Sequence, residues 1–173
     1  MKKAVFLDRD GVINEVLTHR VKFVNRPDQF YLLDRAGEAV KLLNDHGYLV
    51  FVVTNQGGIG LGHMTEEQLN LVHKEMIRQI GEKGGVIQDT ACCMHVPNSG
   101  CLCRKPEPGM ILSLAERYGI DLSRSYMVGD REPDVLAGKR AGTCVLFIGD
   151  QAGLGDTQFP NLWEAAQWII LKD

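Results

Sequence analysis

Short apolar runs ending in polar, glycine-bearing segments recur along the chain. Ala4 to Leu7 is one such run and stops at Asp8; Tyr48 to Val53 is a second, rich in β-branched and aromatic residues. Val86 begins a third, and Ser125 to Val128 and Thr143 to Phe147 form two more. All five are read as strands. Between them apolar residues recur at helical spacing: Ala36, Val40 and Leu43 before Gly47; Leu69, Val72, Met76 and Ile80 behind a Thr65 to Gln68 capping box; and Ile111, Leu114 and Ala115 before Gly119. The tail from Asn161, with Leu162, Ala165, Ala166 and Ile169, reads as a final helix packed at the sheet edge. Crossovers of this length join parallel strands, and nearly continuous apolar strands need cover on both faces. The expected fold is a three-layer α/β/α Rossmann-like parallel sheet, in one domain spanning 1–173.

Composition narrows the function classes. A chain of 173 residues with 45% hydrophobic and 24% charged residues fits one soluble domain. The net charge of −3 comes without a basic block, so neither nucleic acid nor an anionic membrane surface is an expected partner. The longest apolar runs fall far short of the roughly 20 residues that span a bilayer. The N-terminal MKKAVFLDRDG meets charge after four apolar residues, so no secretion signal is expected and a reducing, cytoplasmic setting is. The five cysteines are unevenly placed: Cys92, Cys93, Cys101 and Cys103 lie within one stretch, and Cys144 stands apart.

Ligands of open parallel sheets bind beyond the carboxyl ends of the strands. There this chain reads Asp8-Arg9-Asp10-Gly11, Thr54-Asn55-Gln56-Gly57 and Gly129-Asp130-Arg131-Glu132-Pro133-Asp134. Any one carboxylate alone reads as a turn former or helix cap; three such exits together imply a shared site. Asp8 and Asp10, two apart on an extended segment, point to one side while Arg9 points away. A divalent cation would relieve their repulsion, and Asp130 with Asp134 adds hard oxygen ligands of the kind Mg²⁺ prefers. Phosphate is the natural partner of such a metal. Lys105 supplies a compact positive charge, Thr54 and Asn55 supply donors, and Gly11 leaves room for backbone amides to approach the anion.

These motifs, DRDG at 8–11, TNQ at 54–56, the lysine of RKP at 104–106 and GDREPD at 129–134, resemble in order those of the phosphatase branch of the haloacid dehalogenase-like hydrolases. The resemblance covers nearly the whole chain. It implies that Asp8 is the nucleophile forming an aspartyl-phosphate, and that Asp10 is the acid and then the base. It also implies Mg²⁺ held by Asp8, the Asp10 backbone carbonyl and Asp130, with Asp134 supporting the loop or the metal shell. Thr54 and Lys105 would bind the phosphoryl group, with the Asn55 amide and Arg9 as further candidate contacts. An alternative of another class is a phosphoaspartate receiver module, but that reading leaves the cysteine cluster without a role.

Cys93, His95, Cys101 and Cys103 offer three thiolates and one imidazole, the four-coordinate set of a structural Zn²⁺ site with no open position for catalysis. Buried thiols and redox pairing are the competing readings. Cys92 reads as an unused neighbour and Cys144 as core packing. Cys-x-His-x-Pro followed by Cys-x-Cys-Arg-Lys-Pro-x-Pro-Gly-Met is similar to the zinc-loop subgroup of heptose-bisphosphate and histidinol-phosphate phosphatases, which lack a large cap domain. The resemblance implies hydrolysis of the 7-phosphate of a heptose 1,7-bisphosphate by a monomer. Histidinol phosphate or another small phosphorylated metabolite is the alternative substrate. Arg104 becomes a candidate substrate contact.

Some positions depart from the subgroup's pattern. Leu61 stands where an arginine is usual, Gly57 lacks a hydroxyl, Val12 replaces a threonine, and the segment 14–30 has its own sequence. Within it His19, Arg20, Lys22 and Arg26 offer positive charge. The glycine run at 57–62 is out of register for a nucleotide-binding motif and is expected to be a flexible pocket wall.

Overall fold

Strand β1 (Lys3–Leu7) pairs in parallel with β2 (Tyr48–Asn55) on one side and β4 (Tyr126–Gly129) on the other. With β3 (Asp89–Cys93), β5 (Cys144–Ile148) and β6 (Thr157–Phe159) they form one parallel sheet in the order β3-β2-β1-β4-β5-β6. The computed structural model describes residues 1–151 and 153–173. The chain winds outward from β1 through β2 to β3, then crosses back to β4. This reversal opens a crevice between the carboxyl ends of β1 and β4, where α/β sheets bind ligands.

The period-two alternation of strand residues assigns the faces. Val5, Leu7, Val50, Val52, Val128, Leu146 and Ile148 point to the side covered by α1 (Ala36–Asp45), α2 (Glu66–Glu82) and α5 (Leu162–Leu171). Ala4, Phe6, Phe51, Val53, Met127, Val145 and Phe147 point to the side covered by α3 (Gly109–Tyr118) and α4 (Glu132–Ala141). Phe6 and Phe51, both fully buried, stack across β1 and β2 with ring centroids 5.4 Å apart. The α/β/α sandwich expected from the sequence is therefore present. The capping box of α2 is also present, with Thr65 and Gln68 each bonding the other's backbone N–H.

Four expectations about the elements change. The third strand begins at Asp89, and Val86 before it is 60% exposed. Helix α4 and strand β6 were not expected. Helix α5 packs at that end of the sheet as expected, against α1 and the strands β5 and β6, while β6 itself forms the edge. Thr54 and Asn55 close strand β2 itself, so the sheet's own hydrogen bonds hold their backbones. Among the described residues no helix is long and apolar enough to cross a membrane.

Candidate active site

Asp8 follows β1 directly, and its N–H donates to the Val128 carbonyl of the neighbouring strand. The Lys105 ammonium lies 2.8 Å from Asp8 Oδ1, 2.6 Å from Asp134 Oδ1 and 2.9 Å from the Val53 carbonyl, so all three of its donors are engaged. Lys105 is 5% exposed and Asp8 8%. Burial pushes the Asp8 carboxyl up to about 8; Lys105 pulls against that shift, and Asp134 and Asp130 add to it. Burial opposes the charge on Lys105 too, but Asp8 and Asp134 hold its pKa above the ordinary lysine value. Asn55 sets the lysine's backbone: its Oδ1 accepts from Lys105 N–H at 3.0 Å and its Nδ2 donates to the Lys105 carbonyl at 3.1 Å. The side chain expected at a phosphoryl oxygen is thus chiefly a clamp on Lys105. The Thr54 hydroxyl accepts from Gln56 at 2.8 Å, which leaves its own hydrogen free for a ligand.

Asp10 sits on a tight turn in which the N–H groups of Val12, Ile13 and Asn14 all reach the Arg9 carbonyl. Its Oδ1 receives Arg9 Nε at 3.0 Å, Arg9 Nη2 at 2.9 Å and Asn14 Nδ2 at 3.0 Å. The carboxylate is 32% exposed, and Oδ2 is the oxygen left for exchange with a ligand. Arg9, expected among the phosphate contacts, is instead 1% exposed and held by Asp10 and His73. Its guanidinium turns inward, between the Asp10 carboxylate and the α2 imidazole.

One carboxylate oxygen each of Asp8, Asp130 and Asp134 lie within 4.8 Å of one another. Asp130 Oδ1 is buried with no hydrogen-bond partner, and burial with the Asp134 charge pushes Asp130 up to about 6. An orphaned hard oxygen beside a crowded, desolvated carboxylate fits a bound Mg²⁺. Asp134 has a second duty. Its Oδ2 accepts from the N–H groups of Asp130 and Arg131 at 3.2 and 3.1 Å, completing the α4 capping box, while Oδ1 meets Lys105. It braces the loop that presents Asp130. Gly11 has φ of +85°, and a Cβ there would lie 1.9 Å from Asp130 Oδ2. Only glycine lets the two strand exits approach this closely.

These groups line a cavity of about 610 Å³ that is also walled by Arg104, Arg131, Val16, Leu17 and Phe23. A second cavity of about 580 Å³ adjoins it, sharing Asp10, Phe23 and Asn55 and extending to Leu61, His63 and Met64. Arg131 was not anticipated from the sequence. Arg104 borders the catalytic cavity and donates to the His95 carbonyl at 3.3 Å.

Cys93, His95, Cys101 and Cys103 converge as expected. Cys93 Sγ is 3.3 Å from His95 Nδ1, 3.6 Å from Cys101 Sγ and 2.9 Å from Cys103 Sγ, and His95 Nδ1 is 3.2 Å from Cys103 Sγ. A tetrahedral Zn²⁺ with bonds of about 2.3 Å to sulfur holds its ligands roughly 3.8 Å apart, so a small expansion admits the ion. The donor chemistry fits zinc. Cys144 is half-buried on β5, and Cys92 points to His73 instead of the cluster. The run after β2, expected to be a flexible wall, is wedged against this loop: Gly60 N–H donates to the Met94 carbonyl, and a Cβ at Gly60 would lie 2.8 Å from that oxygen. Cys101→Ser should abolish stoichiometric zinc and lower activity indirectly by loosening Arg104 and Lys105. Metal analysis of that variant and the parent checks it, and a zinc-free active parent contradicts it.

Comparison with known proteins agrees with this geometry. Residues 102–153 match the family described as HAD-hydrolase-like. The D-glycero-beta-D-manno-heptose-1,7-bisphosphate 7-phosphatase of Haemophilus ducreyi is 40% identical over 148 residues, covering 82% of this chain and 79% of the relative. The D-glycero-alpha-D-manno-heptose-1,7-bisphosphate 7-phosphatase of Photorhabdus laumondii is 37% identical, with 84% and 81% covered. A crystal structure of the D,D-heptose 1,7-bisphosphate phosphatase of Bordetella bronchiseptica, complexed with magnesium and phosphate, matches with a TM-score of 0.90 and 33% identity over 99% of each chain. The chain belongs to the haloacid dehalogenase-like phosphatases, within the family that includes these heptose-bisphosphate phosphatases.

Proposed function

We propose that this protein is a Mg²⁺-dependent phosphatase that removes the 7-phosphate of a D-glycero-D-manno-heptose 1,7-bisphosphate through an aspartyl-phosphate on Asp8. The observation that carries this reading is the placement of Asp8, Lys105 and Asp10 around one cavity at the β1/β4 crevice. Asp8, Asp130 and the Asp10 backbone carbonyl would hold the ion, which supplies charge neutralisation for the attack of a carboxylate on a phosphate dianion.

In the first step an Asp8 oxygen bonds to phosphorus as the bond from phosphorus to the ester oxygen breaks. Asp10 Oδ2, carrying the proton, gives it to that oxygen and the sugar leaves as an alcohol. In the second step the now-basic Asp10 takes a proton from water, the water oxygen bonds to phosphorus, and the Asp8 carboxylate is released. Lys105 and the Thr54 hydroxyl stabilise the transferring group, and Lys105 stays fixed throughout because Asn55 and the Val53 carbonyl anchor it. Arg104 and Arg131, on the wall of the same cavity, offer cations for the substrate's remaining charge.

The test is phosphate release by purified protein with Mg²⁺ from both anomers of heptose 1,7-bisphosphate, from histidinol phosphate and from other sugar phosphates. The proposal expects one heptose bisphosphate anomer to have the highest kcat/KM. Equal or better turnover of histidinol phosphate would overturn the substrate assignment while leaving the phosphatase chemistry standing.

A further inference from the structure

Behind Asp10 a buried chain of side chains runs into α2. Arg9 Nη1 lies 3.1 Å from His73 Nε2, and His73 Nδ1 lies 3.8 Å from Cys92 Sγ on β3. His73 is 8% exposed and Arg9 1%. A guanidinium has donors only, so His73 Nε2 must be the acceptor and its proton must sit on Nδ1, facing sulfur. Burial and the adjacent Arg9 charge push His73 down to about 4, in keeping with a neutral ring. The remaining Arg9 donors Nε and Nη2 meet Asp10 Oδ1. The guanidinium is thus fixed from both ends, by the imidazole on one side and the carboxylate on the other.

We infer that His73 is a positioning residue for Asp10, acting through Arg9 to keep Asp10 Oδ2 aimed into the catalytic cavity. A catalytic carboxylate must be held within tenths of an ångström of its productive pose, and supports that lock its orientation are how this is done. With His73 replaced by an apolar residue, Arg9 Nη1 would be a buried donor without a partner. The guanidinium would then rotate to find one, and Oδ1 would lose its anchor. Asn14 alone would hold the carboxylate, so Oδ2 would no longer face the leaving oxygen in a single geometry.

The inference rests on Asp10 being the acid and base of the proposed reaction, and its test separates the two. His73→Met and His73→Gln are compared on a sugar phosphate, whose alkoxide leaving group needs a proton, and on p-nitrophenyl phosphate, whose leaving group does not. For His73→Met, kcat/KM should fall about 10-fold on the sugar phosphate and less than about 3-fold on the aryl ester, a portion of what general acid catalysis provides. Glutamine Oε1 can accept from Arg9, so His73→Gln should recover most of the loss. Equal losses on both substrates, or no recovery with glutamine, overturn the positioning role. A fully active Asp10→Asn variant would instead overturn the acid-base reading. Should His73→Met not fold, ¹⁵N NMR of the parent protein decides: the expected signal is an unprotonated Nε2 with the proton on Nδ1, and an Nε2–H tautomer at neutral pH refutes the inference.

Discussion

Asp8→Asn is expected to reduce phosphate release by about 10⁴-fold or more, the scale seen when a nucleophile acting in concert with its neighbours is removed. The amide has the same shape and keeps a carbonyl oxygen for Lys105, so the cavity persists, yet it offers no anionic oxygen to attack phosphorus. Burial and the Asp134 and Asp130 charges oppose ionisation of the native carboxyl, an amide avoids that cost, and Lys105 keeps Asp134 as its partner. Without Mg²⁺ the variant should therefore unfold at a temperature no lower than the parent, with unchanged zinc content. Steady-state assays with thermal denaturation and metal analysis check all three. Retained turnover would eliminate Asp8 as nucleophile; lost turnover together with a collapsed melting temperature would point to misfolding.

Lys105→Met carries the second large effect, and here activity and stability fall together. The ammonium ties Asp8, Asp134 and the Val53 carbonyl into one buried knot. Methionine fills similar space but leaves two buried carboxylates facing each other and a carbonyl without a donor. Removing one member of a buried ion pair costs on the order of 3–5 kcal/mol. Loss of the cation beside the transferring phosphoryl group should lower kcat by roughly 10²–10³-fold. Since Asp134 also caps α4 and presents Asp130, apparent Mg²⁺ affinity should weaken in the same variant. Chemical denaturation and a Mg²⁺ titration of activity measure these separately. A variant of parental stability would show that the knot contributes little to folding.

How legible each part was in the sequence follows from how local its cause is. Strands β1, β2, β4 and β5 announce themselves because most of their residues face packed layers on one side or the other and are apolar in near-continuous runs. Strand β3 does not, since it lies at the edge and reads Asp-Thr-Ala-Cys-Cys, and the more apolar Val86 before it is exposed. Helix α4 buries Val135, Ala137, Gly138 and Ala141, and small residues make a faint stripe. Asp134 in its first turn reads from the sequence as a metal or loop residue, although Pro133 near the start and Asp at the third position are also helix-initiation signals.

The candidate site divides in the same way. Carboxylates at strand exits and clustered cysteines were readable because position on the strand and spacing along the chain fix them. Hydrogen-bond assignments were not. Arg9, placed among the phosphate contacts by its neighbours, turns inward to His73, a residue 64 positions away on α2. Asn55 closes a reciprocal pair with the Lys105 backbone across 50 positions. Such partnerships exist only after the crossovers have brought the elements together.

The central claim, two successive phosphoryl transfers with Asp8 as the intermediate acceptor, is tested most directly by the stereochemical course at phosphorus. A sugar phosphorothioate made chiral with oxygen isotopes should be hydrolysed with overall retention of configuration, because two in-line displacements each invert it. Inversion would mean that water attacks the ester in one step, and would contradict the account.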